Sequence, residues 1–165
     1  MLELAETGAG VVRALAGAKA LERFPLVPGA IRCRVASDEL LLFLPAGPSA
    51  EVVAAAAAYL EKADPSGLVA DEGGGYTVWT LSGQDATEAF ARLSAVPPAG
   101  GFLQGRIAGV PAKAVVLDDR IHILVAASHG AYVEERILSA CRDLLPPPEE
   151  PSDLLPPPEG AEEQT

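Results

Sequence analysis

The alternation of apolar and polar side chains is the strongest structural signal in this sequence. In residues 31–35, Ile, Cys and Val alternate with two Arg, and Ser37 and Asp38 then provide a turn. Residues 40–44 (LLLFL) are apolar without interruption, which is typical of a central strand that is covered on both faces. This part of the chain is therefore predicted to form a β-hairpin.

Helical spacing of apolar residues predicts helices elsewhere in the chain. They are residues 8–23, 50–62, 82–95 and 130–142. Ser49 and Ser128 are predicted N-caps, whose side chains accept a hydrogen bond from a free amide of the first helical turn. Ser82 and Asp85 have the spacing of a capping box, which marks the start of the third of these helices.

The remaining periodic segments predict further strands. They are residues 68–70, 76–81, 102–107, 111–117 and 120–127, and the last two form a second hairpin around Asp118 and Asp119. The glycine run at residues 73–75 lacks the sequence that follows a phosphate-binding loop, so a bulge or turn is predicted there. This order of elements predicts an α+β fold, in which helices cover a largely antiparallel sheet.

Changes in composition divide the chain into three parts. Residues 1–29 are predicted to form an N-terminal helix or arm, residues 30–142 an α+β domain, and residues 143–165 an acidic, proline-rich tail. The tail contains the sequence DLLPPPE at residues 143–149 and again at residues 153–159. The leucine pairs of both copies are candidate anchors for a groove on a partner protein, namely Leu144, Leu145, Leu154 and Leu155. The alternative is a disordered acidic segment that promotes solubility.

The charge balance and the apolar stretches exclude some classes of function. The formal net charge of −11 at pH 7 argues against binding to nucleic-acid phosphates. No stretch approaches the ~20 apolar residues of a membrane-spanning helix, so no membrane partner is predicted. The N-terminus has acidic residues where a secretion signal has basic ones, so a cytoplasmic location is expected. Cys33 and Cys141 are predicted to be buried thiols, and no metal site is recognisable.

Few polar residues are candidates for chemistry. His122 lies on a predicted strand and is predicted to be a hydrogen-bonded or solvent-facing structural residue in preference to a base. Neither His122 nor His129 is accompanied by a nucleophile and a carboxylate in the pattern of a catalytic triad. Arg106 follows Gly105 on a predicted strand and could bind a carboxylate, with a surface salt bridge as the alternative. No catalytic residue is therefore predicted.

The order of several segments resembles a known family. These segments are ASDELLLFLP from residue 36, an acid at Asp71 before a Gly-rich turn, LSGQDATEAFARL from residue 81, FLQGRIAGV from residue 102 and HILVAASHGAYVEERIL from residue 122. Together they resemble the gamma subunit of heterotetrameric sarcosine oxidase, which is similar to the folate-binding domain of aminomethyltransferases. The resemblance implies an α+β fold and a non-catalytic partner of flavin-bearing subunits.

The resemblance leads to one main hypothesis and two alternatives. The main hypothesis is a non-catalytic accessory subunit of an oxidoreductase complex, with no cofactor of its own and with larger flavoprotein-type subunits as partners. The first alternative is a stand-alone folate or small-carboxylate binding domain, in which Tyr76, Trp79 and Arg106 line a pocket for tetrahydrofolate. The second is an adaptor that presents the proline-rich tail to a partner. The carboxylate segment of aminomethyltransferases is replaced here by residues 95–98 (AVPP), so no catalysis by this chain alone is expected.

Overall fold

The computed structural model describes residues 1–147, which form two antiparallel β-sheets packed face to face with helices on both outer sides. The strands are β1 (Glu3–Glu6), β2 (Gly10–Leu15), β3 (Ile31–Ala36), β4 (Glu39–Leu44), β5 (Leu68–Asp71), β6 (Tyr76–Ser82), β7 (Gly101–Ile107), β8 (Val110–Leu117) and β9 (Arg120–Ala126). The helices are α1 (Ala18–Glu22), α2 (Ala50–Ala63), α3 (Ala86–Leu93) and α4 (Gly130–Ala140). The predicted α+β fold class is confirmed, with two sheets in place of one.

Strands from distant parts of the chain are neighbours within each sheet. The five-stranded sheet has the order β1-β6-β9-β8-β7, and the four-stranded sheet has the order β3-β4-β2-β5. Helices α3 and α4 cover the outer face of the five-stranded sheet, whereas α1 and α2 cover the four-stranded sheet. The apolar core therefore has three layers, one between the sheets and one beneath each pair of helices.

The central strand β4 is covered on both faces, as its sequence predicted. Leu40, Leu42 and Leu44 pack in the layer beneath α2, whereas Leu41 and Phe43 pack in the layer between the sheets. Since β4 lies between β3 and β2, neither its edges nor its faces are left open to solvent. The two predicted hairpins are confirmed by the pairing of β3 with β4 and of β8 with β9.

The helix predicted for residues 8–23 is wrong. These residues form the strand β2 followed by the short helix α1. β2 lies between β4 and β5 in the four-stranded sheet. Its side chains alternate between the two faces, so Val11 faces the other sheet while Val12 and Ala14 face the layer beneath α2. A strand that is buried on both faces carries apolar residues at consecutive positions, and over so short a length this pattern resembles helical spacing.

The predicted helix caps are confirmed in one case of three. Ser49 Oγ accepts a hydrogen bond of 3.3 Å from a first-turn amide of α2. The capping box at Ser82 and Asp85 is wrong, because β1 pairs beside Ser82 and its hydroxyl donates to Glu3 instead. The predicted cap at Ser128 is also wrong, because a 3-10 turn precedes α4 and places this residue too early to cap it.

Two connections pass from one sheet to the other. Gly73–Gly75 forms a 3-10 turn between β5 of the four-stranded sheet and β6 of the five-stranded sheet. The predicted turn is therefore present, and it joins strands of different sheets. Residues 1–29 contribute β1 to the five-stranded sheet and β2 to the four-stranded sheet, so they are built into both.

The structure describes the proline-rich segment only as far as Pro147. The second DLLPPPE copy, with Leu154 and Leu155, therefore lies outside the described residues. Within residues 1–147, none of the helices has both the length and the apolar character needed to cross a membrane.

Candidate functional site

The three residues predicted to line a binding pocket are not brought together by the fold. Tyr76 and Trp79 both belong to β6, and their odd spacing places them on opposite faces of the sheet. Tyr76 packs against the layer between the sheets, where Lys113 Nζ lies 5.9 Å from its ring centre. Trp79 packs in the layer beneath α3 and α4. Arg106 lies on β7, at the edge of the same sheet.

Trp79 belongs to the core and positions the start of α4. Its indole Nε1 donates a hydrogen bond of 3.2 Å to the carbonyl oxygen of Gly130. Gly130 approaches β6 closely because it has no side chain, since a Cβ there would lie 2.6 Å from Thr77 Oγ1. The polar end of the indole is therefore satisfied inside the domain, as is usual for a buried Trp.

Arg106 borders a surface cavity of about 540 Å³. Residues 104–106 of β7 and 111–113 of β8 line this cavity. Arg106 Nε donates a hydrogen bond of 3.0 Å to the carbonyl oxygen of Gly109, which fixes the Nε end of the guanidinium. Among residues 1–147, neither Arg106 nor Lys113 forms an ion pair. Two uncompensated cations beside an apolar wall could accept a small carboxylate.

Tyr76 lies in a neighbouring cavity of about 240 Å³ that shares residues 111–113 with the first. This second cavity also contains Arg13, which pairs with Glu72 at 2.8 Å and with Glu39 at 3.2 Å. Burial opposes the charge of Arg13, but the Tyr76 hydroxyl and the two carboxylates together raise the pKa of the guanidinium. The charge of Arg13 is therefore balanced by neighbouring carboxylates, whereas Arg106 and Lys113 have no ion-pair partner among residues 1–147.

His122 lies in the layer between the two sheets and is only 3% exposed. Its Nδ1 lies 2.9 Å from Thr80 Oγ1, which in turn forms a hydrogen bond with Thr7. Its ring centre lies 5.1 Å from that of Phe43. Burial, and to a smaller degree the charge of Arg120, lower the pKa of His122, so the imidazole is neutral at pH 7. His122 is a hydrogen-bonded structural residue, which is one of the two roles predicted for it.

Both cysteine thiols are buried, as the sequence predicted. Cys33 lies between the sheets, where burial raises the pKa of its thiol to about 12. Cys141 lies beneath α3 and α4, and burial raises the pKa of its thiol as well. Both are therefore protonated at pH 7, whereas reactive cysteines are thiolates. In the part of the chain that the structure describes, no group of His, Cys and carboxylate side chains is arranged to hold a metal ion.

Residues 143–147 of the first DLLPPPE copy are held on the surface of their own domain. Leu144 and Leu145 are half-buried and pack against the core layer beneath α3 and α4. The carbonyl oxygen of Leu144 accepts a hydrogen bond of 2.9 Å from the amide of Leu2. The predicted partner anchors of this copy are therefore in contact with their own chain.

Arg92 of α3 is an organising residue that the sequence analysis did not identify. Its guanidinium donates to both carboxylate oxygens of Asp143, to the carbonyl oxygen of Ala140 at 3.0 Å and to Glu88. The hydrogen bonds from Arg92 lower the pKa of Asp143. Only Glu88, four positions earlier on the helix, is recognisable as a partner from sequence spacing. The other two contacts depend on how α4 ends.

Comparison with solved structures shows which known fold this arrangement resembles. A chain of the heterotetrameric sarcosine oxidase from Corynebacterium sp. U-96, solved in complex with pyrrole 2-carboxylate, superposes with a TM-score of 0.72 and 16% identity. The match covers 86% of this chain and 84% of that chain. The regulatory subunit of aspartate kinase from Thermus thermophilus, in its ligand free form, has a TM-score of 0.45 and 11% identity, over 85% of this chain and 97% of that one.

The likeness to sarcosine oxidase shows a shared fold, and at this identity it shows the fold alone. The likeness to the aspartate kinase subunit is too distant to support an inference. No protein-family model matches the chain, and a search of curated proteins finds no significant match. The fold that the sequence resemblance implied is confirmed by the first of these structures.

Proposed function

We propose that this chain is a non-catalytic accessory subunit of an oxidoreductase complex related to heterotetrameric sarcosine oxidase. The observation that carries the proposal is the fold, which is shared with 84% of the length of a chain from that enzyme. In a heterotetramer, a chain of this fold contacts other subunits. The proposed partners are larger flavoprotein-type subunits, which would bind any flavin and supply the catalytic residues.

The buried polar side chains support a structural role for the domain itself. Trp79 holds the start of α4, and His122 is hydrogen-bonded to Thr80 between the sheets. The thiols of Cys33 and Cys141 are enclosed in the core. Each of these groups, which in other proteins can contact ligands or react, is used here for packing or internal hydrogen bonding. Interactions with other molecules would therefore use the surface.

The outer face of α4 supports the proposed contact with a partner. Tyr132 is 47% exposed and Leu138 is 44% exposed on this helix. A groove of about 680 Å³ runs between α4 and residues 145–147. Leu138 lines this groove, whereas Tyr132 lies outside it, and exposed large apolar side chains of this kind are typical of surfaces that bind other proteins. The proposed contact uses this face, with the leucine pairs of the DLLPPPE copies as further anchors.

Isolation of the intact assembly tests the accessory role. The full chain, tagged and purified at natural abundance, should elute in a complex larger than its own 17.0 kDa and with flavin absorbance in the same fraction. Leu138→Lys should weaken the complex, because it introduces a charge into the apolar face. Leu26→Lys, at an 83% exposed position next to α1, is the matched control. A monomer that carries no flavoprotein with it would rule the proposal out.

The cavity at Arg106 supports a second candidate function, the binding of folate or another small carboxylate. Two cations without ion-pair partners among the described residues flank this cavity. Because Trp79 lies across the sheet from it, calorimetry is a better measurement than tryptophan fluorescence. Tetrahydrofolate should release heat with the natural chain and not with Arg106→Ala, while Arg136→Ala on α4 should behave like the natural chain. An absence of heat at millimolar ligand would count against this function.

A further inference from the structure

The C-terminal segment shows how the sequence DLLPP packs on this molecule, where it continues from α4 through a turn whose Leu144 and Leu145 amides donate to the carbonyl oxygen of Cys141. Residues 143–149 and 153–159 are identical (DLLPPPE), and the structure describes the first five residues of the first copy. This segment lies in a site that we call the C-terminal seat, which is formed by Leu2, Leu4, Trp79, Arg92 and Leu138.

Two polar contacts determine which residue of the segment lies at each position of the seat. Arg92 donates to both carboxylate oxygens of Asp143, and the longer of these hydrogen bonds measures 3.0 Å. The amide of Leu2 donates to the carbonyl oxygen of Leu144 at 2.9 Å. The guanidinium therefore selects an acidic side chain at the first position, and the backbone hydrogen bond fixes the second.

Apolar contacts complete the seat. Leu144 and Leu145 are half-buried against the core layer that contains Trp79. Leu145 and Pro146 also line, together with Trp79, an open cavity of about 480 Å³. Burial of leucine side chains provides the driving force for such an association, and the prolines that follow the turn reduce the entropic cost of ordering the segment.

We propose that the second copy, residues 153–159, is an alternative ligand of the C-terminal seat and exchanges there with the first copy of the same chain. Each side chain of residues 143–147 is present again ten residues later, so Asp153 would replace Asp143 and Leu154 would replace Leu144. The carbonyl oxygen of Leu154 would then accept the hydrogen bond from Leu2. This exchange does not depend on the proposed accessory role, because it involves this chain alone.

The length of the chain between the two copies permits the exchange and favours the first copy. Cys141 is buried beneath the helices, and residues 142–152 would connect it to Asp153. These residues can span far more than the short distance required, so the excess forms a loop. Because the first copy follows α4 through a turn and closes no loop, whereas the second copy must close a loop of residues 142–152, loop-closure entropy favours the first copy. The exchanged state is therefore a minor one.

The exchange would make the first copy available without exposing the seat. A protein that binds the first DLLPPPE would have to compete only with that bias, because the second copy fills the apolar surface that the first one leaves. A single copy would instead expose half-buried leucine contacts and Trp79 on release. The tandem repeat thus allows the tail to be captured by a partner while the core layer beneath α3 and α4 stays covered.

Disulfide trapping in the full chain tests the exchange. Leu138→Cys is combined with Pro146→Cys in the first copy, or with Pro156→Cys at the equivalent position of the second copy. Ser152→Cys is the matched control, because it is nearer to Leu138 along the chain but lies outside both copies. The three double variants are oxidised under identical dilute conditions, and mass spectrometry separates intrachain from interchain disulfides.

The proposal predicts a defined order of rates. The Pro146→Cys variant should form its disulfide fastest, and the Pro156→Cys variant should be faster than the Ser152→Cys control. Adding Leu144→Ala and Leu145→Ala should accelerate the Pro156→Cys disulfide by about tenfold or more, because the competing copy is weakened. Equal rates for Pro156→Cys and Ser152→Cys, no acceleration, or a disulfide only between chains would each overturn the proposal.

Discussion

Gly130 and His122 show how single residues hold the layers of this molecule together. Gly130 lets α4 approach β6, because a side chain at this position would meet Thr77. His122, together with Thr80 and Thr7, adds hydrogen bonds beside a cluster of buried apolar side chains between the sheets. Both roles depend on details other than hydrophobicity, namely a missing Cβ and a neutral imidazole. Substitutions at these positions therefore have effects of predictable sign.

Gly130→Ala should destabilise the protein. The added Cβ would lie 2.6 Å from Thr77 Oγ1, so we expect a loss of about 1–3 kcal/mol in unfolding free energy, even though Ala favours helices. Urea unfolding measures this loss. Thr77→Ala in the same chain should recover part of it, because it removes the atoms that clash. Gly74→Ala, where nothing lies within 4 Å, is the control, and equal stability of both Ala variants would refute the steric explanation.

His122 should make the stability of the protein fall with acidification. Because its folded-state pKa is lowered, the unfolded chain binds a proton at a higher pH than the folded chain does. The stabilisation is therefore complete above about pH 6.5 and is lost as the pH falls through the folded-state pKa. Urea unfolding between about pH 7 and pH 5 should show a steeper loss for the natural chain than for His122→Gln. His129→Gln is the control, and parallel slopes for all three proteins would contradict this.

At the scale of elements, the sequence correctly predicts those segments in which the spacing of apolar residues fits either a strand or a helix but not both. In the strand β4, residues 40–44 are apolar without interruption and are followed by a proline and a helix cap, so its nature and its double burial could be predicted. The strand β2 has a similar double burial, but its shorter apolar run lies next to α1 and reads as one continuous helix. The cap at Ser82 fails because pairing with β1 is non-local, whereas the cap at Ser128 fails because a 3-10 turn at residues 127–129 delays the start of α4.

The candidate site shows the same division between local and non-local information. Tyr76 and Trp79 are an odd number of positions apart on one predicted strand, which places them on opposite faces of the sheet. A pocket lined by both could therefore have been rejected from the sequence. The sequence predicts correctly that Arg106 lies on a strand. Its proximity to Lys113 depends on how β7 pairs with β8, which the spacing of residues along one strand does not show. The contact between Arg92 and Asp143 joins residues 51 positions apart and has no local signal.

Phe43→Ala should test the layer that joins the two sheets. Phe43 is fully buried between them, with its ring beside that of His122. Removing the ring would leave a cavity in this layer, and we expect a loss of about 3–5 kcal/mol in unfolding free energy. Chemical denaturation provides the measurement. Leu26→Ala at an exposed position should change stability by less than about 0.5 kcal/mol, and a comparably small loss for Phe43→Ala would show that the sheets do not depend on this contact.

At the scale of the whole molecule, the three core layers need not open together. The layer between the sheets is enclosed by both of them, whereas the layer beneath α3 and α4 is closed by helices and by the first DLLPPPE copy. Local opening of a helical edge generally costs less than separation of two sheets. Cys33 and Cys141 lie in these two layers and can report on each separately.

Thiol labelling should therefore distinguish the two layers. In Cys33→Ala, the remaining Cys141 should react with an aromatic disulfide reagent at least about tenfold faster than Cys33 reacts in Cys141→Ala. The reason is that release of the C-terminal segment and the end of α4 exposes Cys141 without separation of the sheets. Labelling is followed by absorbance under native conditions, with urea-unfolded protein as the control for intrinsic reactivity. Identical native rates for the two variants would indicate a single opening of the whole molecule.

The placement of β1 and β2 also has a consequence for how the chain is made. Glu3 of β1 pairs with Ser82, so β1 has no partner strand until the ribosome has produced β6, whereas β2 can already pair with β4, where Val12 lies opposite Leu42. At synthesis rates of about 5–20 residues per second, roughly 4–16 s separate β1 from its partner strand. During that time the growing polypeptide carries β1 without its partner strand, and β1 is the segment that ribosome-associated chaperones would have to shield.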